Sequence, residues 1–437
     1  MALNKDILKQ VIATQRPAFL VIEGSIDRDV LKRPDFDILC DIREAVVITG
    51  VRRSGKSYLM RLIWHALRVR GIVGENNFLS VNFEDEKLIG FKATDFDPLL
   101  ESFFELYPVD RREKIYLFFD EIQNIPGWEK FIRRLIEQGG YKIFITGSNA
   151  TLLSKELATS LTGRSFPLVL YPFSFGEFVR WKWGRELKKE DYYQDDRRVE
   201  LMQLFSEYCD QGGFPEVMLQ GFRPILQEYW KDIVYRDIVV RYRIRHEAGL
   251  RELAAFMIAN IGVAMSLERI AKMTRMKSIM TVKNYLSHLQ NTYLLFFLPK
   301  YSHSVKRQIY NPDKAYVVDT GLYNEVAFTT SANEGRVLEN IVCTELLRRN
   351  WSVFYWSNGK SECDFVVQKK SMPLQMIQVT KFLDQTNEDR ELNGLLGAMN
   401  EYNLNEGLIL TADRSDMFEK EGKQIIIKPV WQWLLEE

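Results

Sequence analysis

The apolar positions of the chain open with a helical pattern (Ile7, Leu8, Val11, Ile12) and a charged lead-in, and change character at residue 45. Five short runs follow, Ala45–Thr49, Phe78–Phe83, Ile115–Phe119, Lys142–Thr146 and Phe166–Leu170, separated by helical or mixed segments. The central runs are apolar on both alternating faces, as in strands covered by helices on both sides. Strands alternating with helices predict a doubly wound α/β domain with a parallel sheet. From Phe175 to Arg245 the pattern is helical and rich in Trp, Tyr and charge, broken at Gly212–Pro215. Leu250–Leu322 predicts two or three helices closed by a two-stranded ribbon, Leu294–Leu298 and Ala315–Val318, which is a winged-helix pattern. The last hundred residues mix a helix, three strands and a further helix. These shifts divide the chain at 1–44, 45–174, 175–249, 250–322 and 323–437.

Composition narrows the class. Hydrophobic residues make up 46% and charged residues 27%, a balance that supports globular cores rather than disorder. Lys+Arg and Asp+Glu are both 59, which argues against a protein coated in positive charge, although a local basic patch fits within a neutral total. Cys40, Cys209, Cys343 and Cys363 are widely spaced and read as reduced thiols, as in the cytoplasm. A charged N-terminus takes the place of a signal peptide's apolar stretch, and the run Leu294–Leu298 is short and closed by Pro299. The expectation is a soluble cytoplasmic protein without a membrane span.

The first chemical motif lies at the end of the first strand. Gly50-Val51-Arg52-Arg53-Ser54-Gly55-Lys56-Ser57 fits G-x-x-x-x-G-K-[ST], with an apolar strand before it and a helix pattern from Tyr58 after it. Glycines let the backbone curl so that its N–H groups face phosphates; Lys56 then reaches the β- and γ-phosphates of ATP, and the Ser57 hydroxyl ligates Mg²⁺. The run Ile115–Glu121 is an apolar strand ending in two acids. Asp120 is placed beside the loop to hold Mg²⁺ through water, and Glu121 to act as general base on the attacking water. A third strand ends in Thr146-Gly-Ser148-Asn149, where Ser148 is a candidate contact to the γ-phosphate or water; Ser and Asn also cap helices. Arg164, after the next helix pattern, is either a finger reaching a neighbouring subunit's γ-phosphate or an ordinary surface arginine.

This order of features resembles the AAA+ branch of P-loop ATPases. The runs Phe118–Trp128, Pro172–Phe178, Gly212–Glu216 and Asp319–Leu322 are more specific. Together they resemble a widespread prokaryotic family of AAA+-type ATPases that carry a nuclease-like C-terminal domain of unknown function. The resemblance implies a helical lid over residues 175–249, in which Gly213 and Pro215 contact the nucleotide.

Within 250–322, Leu267–Thr274 and Ile279–Thr292 read as a helix-turn-helix that offers Lys283, Asn284 and His288, with Lys300, Lys306 and Arg307 in the wing. Those side chains suit phosphate and base edges, while the same helices equally suit a protein contact. The final segment resembles the PD-(D/E)xK nuclease fold, with Glu339 on the opening helix and Asp364 on a strand. Its second acid position is Gln378 and its lysine position is Thr380, so half the site is missing. Lys381 points to the opposite face of the strand. The expectation is an ATP-hydrolysing switch acting on DNA or a protein partner through an inactive nuclease scaffold, with oligomers in view. The alternatives are an ATP-regulated metal-dependent nuclease and a small-molecule kinase; Glu121 directly after Asp120 and the winged helix argue against the kinase.

Overall fold

Five of the apolar runs pair into one parallel sheet in a computed structural model that describes residues 3–22, 27–147, 161–302, 304, 306, 308, 311–327, 334–368 and 374–436. The chain forms two units, Met1–Leu170 and Tyr171–Glu437. In the first, β1 (Ala45–Thr49), β2 (Phe78–Asn82), β3 (Ile115–Asp120), β4 (Tyr141–Gly147) and β5 (Ser165–Val169) run in the order β2-β3-β4-β1-β5. Strand β4 therefore lies between the loop-bearing β1 and the acid-bearing β3, so Asp120 is one strand removed from the loop's own strand. Alternation along β1 separates two cores. Val46 and Ile48 pack with Leu59, Ile63 and Leu67 of α3 (Lys56–Val69), whereas Ala45 and Val47 pack in the layer of α1 (Lys5–Leu20), α4 (Phe96–Leu106) and α5 (Trp128–Gln138). Burial of both faces explains why these strands carry no polar alternation.

The second unit has two sheets. Strands β6 (Ala264–Met265), β7 (Leu295–Leu298) and β8 (Asp313–Val317) form an antiparallel sheet ordered β6-β8-β7, beside helices Glu247–Ala259, Leu267–Met273 and Ile279–Asn291. The expected ribbon thus has a third strand, too short to show a period. The C-terminal sheet has six strands where the sequence suggested three. In it β9 (Ser352–Ser357), β10 (Glu362–Gln368), β11 (Gln375–Val379), β12 (Glu406–Thr411), β13 (Asp416–Lys420) and β14 (Lys423–Pro429) are ordered β13-β14-β12-β11-β10-β9. Helices Glu334–Arg348 and Glu388–Glu401 accompany it. Strand β13 escaped notice because none of its side chains is buried, leaving a polar edge with no apolar signal.

Two motifs singled out in the sequence meet in this unit. Asp319 caps the helix Thr320–Val326 through the Leu322 N–H, and its other oxygen accepts the Gly213 N–H at 2.7 Å. A Cβ on Gly212 would lie 2.2 Å from the Asp319 carboxylate, and one on Gly321 would lie 2.1 Å from the Gln211 carbonyl. Both glycines are required by close approach, not by a ligand.

Candidate active site

The loop after β1 is shaped by its backbone. Gly50 has φ +148, and a Cβ there would sit 2.1 Å from the Leu170 carbonyl oxygen. Gly55, at φ 93, precedes α3, whose first-turn amides have no intrahelical partners. N–H groups at the start of a helix and the helix dipole make the concave side of the loop an anion site. The Lys56 ammonium is buried there and donates to the Gly50 and Val51 carbonyls at 3.2 and 3.0 Å. Val51 is buried, Arg52 and Tyr58 are half-buried and Arg53 is exposed. The Ser54 hydroxyl is buried and has no hydrogen-bond partner among the described residues, which leaves a donor for a ligand in the loop.

The acids complete the arrangement. Burial raises the Asp120 carboxyl, opposed by hydrogen bonds from Thr146 and Ser57 and by the charge of Lys56. Thr146, on β4, donates its hydroxyl hydrogen to Asp120 and accepts the Glu121 N–H at 3.0 Å. Glu121 adopts a left-handed conformation (φ 51), which turns it out of the strand, and Gln123 donates to its carboxylate. Ser57, Asp120, Thr146 and Glu121 thus form one continuous array across β4. Thr146 and Gln123 were not singled out in the sequence; a buried threonine on a strand end carries no signal until β4 is placed between β1 and β3.

Ser148 lies outside the described residues, as do Arg307 of the expected wing and most of the helix expected over Ala150–Leu161. Arg164 precedes β5, which starts beside Ala45, so it stands at the opposite end of the strands from Gly50. That is about 16 Å, at ~3.3 Å per strand residue. It is paired with Glu137 at 3.2 Å on the surface. Gly213 and Pro215 belong to the second unit; the Gly213 amide is taken by Asp319, and Pro215 starts the helix Pro215–Gln220. His288 stacks on Tyr242 with ring centroids 3.7 Å apart, whereas Lys283 and Asn284 are exposed.

The C-terminal sheet gathers the other candidates. Phe365 pairs with Ile377, which sets Asp364 against Gln378; the Gln378 Oε1 accepts the Asp364 N–H at 3.3 Å. Between the acids lies a cation that sequence reasoning missed. Lys314 of β8, 1% exposed, contacts Glu339 at 3.1 Å, Glu362 at 2.7 Å and Asp364 at 3.3 Å. Burial alone would lower this ammonium, but Glu339, Asp364 and Glu362 together hold it well above its ordinary value. Burial raises the Glu339 carboxyl, and the Lys314 charge opposes it. Tyr316 donates to Glu339 at 2.6 Å. The Gln378 amide donates to Glu391 at 2.6 Å, and Thr380 is used in a turn, donating to the Phe382 carbonyl at 2.8 Å. Lys381 pairs with Glu334. Among the described residues, no group of three or more His, Cys, Asp or Glu side chains is arranged to hold a metal ion.

A family model described as an AAA domain matches residues 42–179, and one described as a domain of unknown function, DUF8612, matches residues 202–333. MJ1544 of Methanocaldococcus jannaschii is 34% identical over 421 residues, covering 92% of this chain and 90% of that protein. A Haemophilus influenzae protein is 33% identical over 398 residues, covering 89% and 94%. Among solved structures, DnaA bound to AMPPCP and single-stranded DNA has a TM-score of 0.27 at 15% identity, over 66% of this chain and 92% of that one. The Aeropyrum pernix ORC2 protein has a TM-score of 0.36 at 13% identity, over 77% and 95%. The AAA match, the parallel sheet and the loop make the first unit a P-loop ATPase core. The chain belongs to the family that includes MJ1544 and the H. influenzae protein, which it matches over most of both lengths. Among the described residues, no helix is long and apolar enough to cross a membrane.

Proposed function

We propose that the chain is an ATP-hydrolysing switch whose nucleotide state repositions a winged helix and a nuclease-like domain on DNA or a protein partner. The observation that carries this reading is the hydrogen-bonded array from Ser57 through Asp120 and Thr146 to Glu121, set beside the Lys56 ammonium. Lys56 and the α3 amides bind the phosphates, and Ser57 and Asp120 would hold Mg²⁺, which when bound supplies charge against the developing negative oxygens. Glu121 accepts the proton of the attacking water, and Gln123 fixes its orientation. Arg164, at the far end of the strands, serves a neighbouring subunit's site. Residues 250–322 are read as the winged helix, with Gly213 and Pro215 in the lid before it.

The C-terminal domain is read as a nuclease scaffold without nuclease chemistry. Lys314 stands among the acids, Gln378 is spent on Asp364 and Glu391, and Thr380 is spent on a turn. Phosphate release from ATP tests the whole: the parent should turn over, Lys56→Ala should lose ATP binding, and Glu121→Gln should bind ATP while turning over at least ~10²-fold more slowly. Unchanged ATP affinity in Lys56→Ala would sink the assignment.

A further inference from the structure

A cationic surface in the second unit is left unused by the ATP site. From Lys231 to Arg251 the chain carries six cations (Lys231, Arg236, Arg241, Arg243, Arg245, Arg251) against three acids (Asp232, Asp237, Glu247), in a protein with 59 of each overall. Asp237 is buried, whereas all five arginines are exposed. Among the described residues, none of those arginines has an acid partner. Exposed guanidinium groups without paired acids form the electrostatic footprint of an anionic partner.

The backbone here is also unusual. Ile233–Val240 is a π-helix, a rare form frequent at functional sites. It buries Ile233, Val234, Ile238 and Val239 and turns Tyr235 outward, 53% exposed. Arg243 holds a left-handed conformation (φ 52) that an L side chain disfavours and a glycine would accept freely. Beside the π-helix opens a cleft of about 930 Å³ lined by Trp230, Lys231, Tyr235, Arg245, Glu247 and Arg251. Aromatic faces and cations therefore share one opening.

We propose that this cleft and its arginine strip bind single-stranded nucleic acid, with the guanidinium groups on phosphates and Tyr235 stacked on a base. A duplex offers phosphates but no free base faces, and an acidic peptide offers charge but nothing for the aromatic rings to stack on. This names the partner of the switch proposed above and rests on that reading only for the link to ATP; the contact itself needs no nucleotide.

The test is fluorescence anisotropy of a labelled thymidine 20-mer with the full chain, without nucleotide, between 50 and 200 mM salt. Binding should weaken steeply with salt. Changing Arg241, Arg243 and Arg245 together to Ala should flatten the log–log salt slope by about two, at ~0.7 per phosphate contact in single strands. Tyr235→Ala should weaken binding by about 5- to 160-fold with the slope unchanged, the range of one stacked base. ATP turnover measured without nucleic acid should be unaffected in both variants. No binding at 50 mM salt, an unchanged slope in the triple variant, or equal displacement by duplex DNA or polyglutamate would overturn the inference. Absent binding by the parent chain with its turnover intact sinks this inference alone, and absent turnover with binding intact sinks only the switch.

Discussion

Replacing Lys314 by methionine removes a charge while keeping most of the volume of a side chain that is 1% exposed. Its ammonium stands within 2.7–3.3 Å of three carboxylates. Removing one member of a buried ion pair costs about 3–5 kcal/mol, because the opposing charge stays buried without compensation. Glu339 and Asp364, with side chains 12% and 11% exposed, bear that cost; Glu362, at 42%, is screened by solvent and adds little. A loss of about 4 kcal/mol is nearly three decades in the local opening constant. Amide hydrogen exchange of the full chain should therefore accelerate by about 10²–10³ in peptides spanning 334–348 and 362–368. The pH dependence has a definite sign. Burial already raises the Glu339 carboxyl, and without Lys314 the folded value rises further above the unfolded one. The folded state then binds the proton more tightly, so the variant regains stability as pH falls through that raised value and loses it as pH rises. Adding Glu339→Gln and Asp364→Asn should recover most of the loss. Equal exchange in parent and variant at neutral pH, or a deficit that deepens on acidification, would refute the cluster's role.

Four further outcomes follow from other contacts. Thr146→Val removes the donor to Asp120 and the acceptor of the Glu121 N–H; ATP turnover should drop about 10²-fold with ATP affinity within a few-fold, since misplacing a catalytic group by ~1 Å costs that much. Gly50→Ala puts a methyl 2.1 Å from the Leu170 carbonyl at φ +148, so isothermal titration with ATP should show no binding and the melting temperature should fall. Arg164→Ala should alter stability by under ~1 kcal/mol, because its pair with Glu137 is half-exposed, yet lower turnover by ~10³ or more if it serves a neighbour; strictly linear activity with protein concentration would return it to the surface. Plasmid-nicking assays with Mg²⁺ or Mn²⁺ should detect no cutting by the parent, nor by Gln378→Glu with Thr380→Lys, because Lys314 still neutralises the acids.

What the sequence reveals depends on whether the signal is local. The strands at 45–49, 78–82 and 115–120 are legible because burial on both faces writes them as continuous apolar runs, and the loop Gly50–Ser57 because its chemistry is contiguous. Thr146 is not legible: it acts only once β4 is seen to separate β1 from β3, an ordering that no run of residues encodes. Lys314 is hidden for the same reason, since 25 and 50 positions separate it from Glu339 and Asp364. On a strand reading Asp313–Val317 it looks like a solvated side chain, and only tertiary placement turns it inward. Gln378 and Thr380 stand out in the sequence as an amide and a hydroxyl, but that a lysine from another sheet stands among the neighbouring acids required the fold.

The fastening of Gly213 to Asp319 joins points 106 positions apart. The chain between them leaves and returns at one place, with Gly321 closed against Gln211 just outside the knot. A stretch pinned at its own base is a cassette. Its exposed loops can be lengthened at about 0.6 kcal/mol per doubling, but its inner face is held, because Lys314, Tyr316 and Val317 bond Glu339 and Asn340 beyond the pins. The glycines at 212, 213 and 321 are the seam that lets the two ends close on each other.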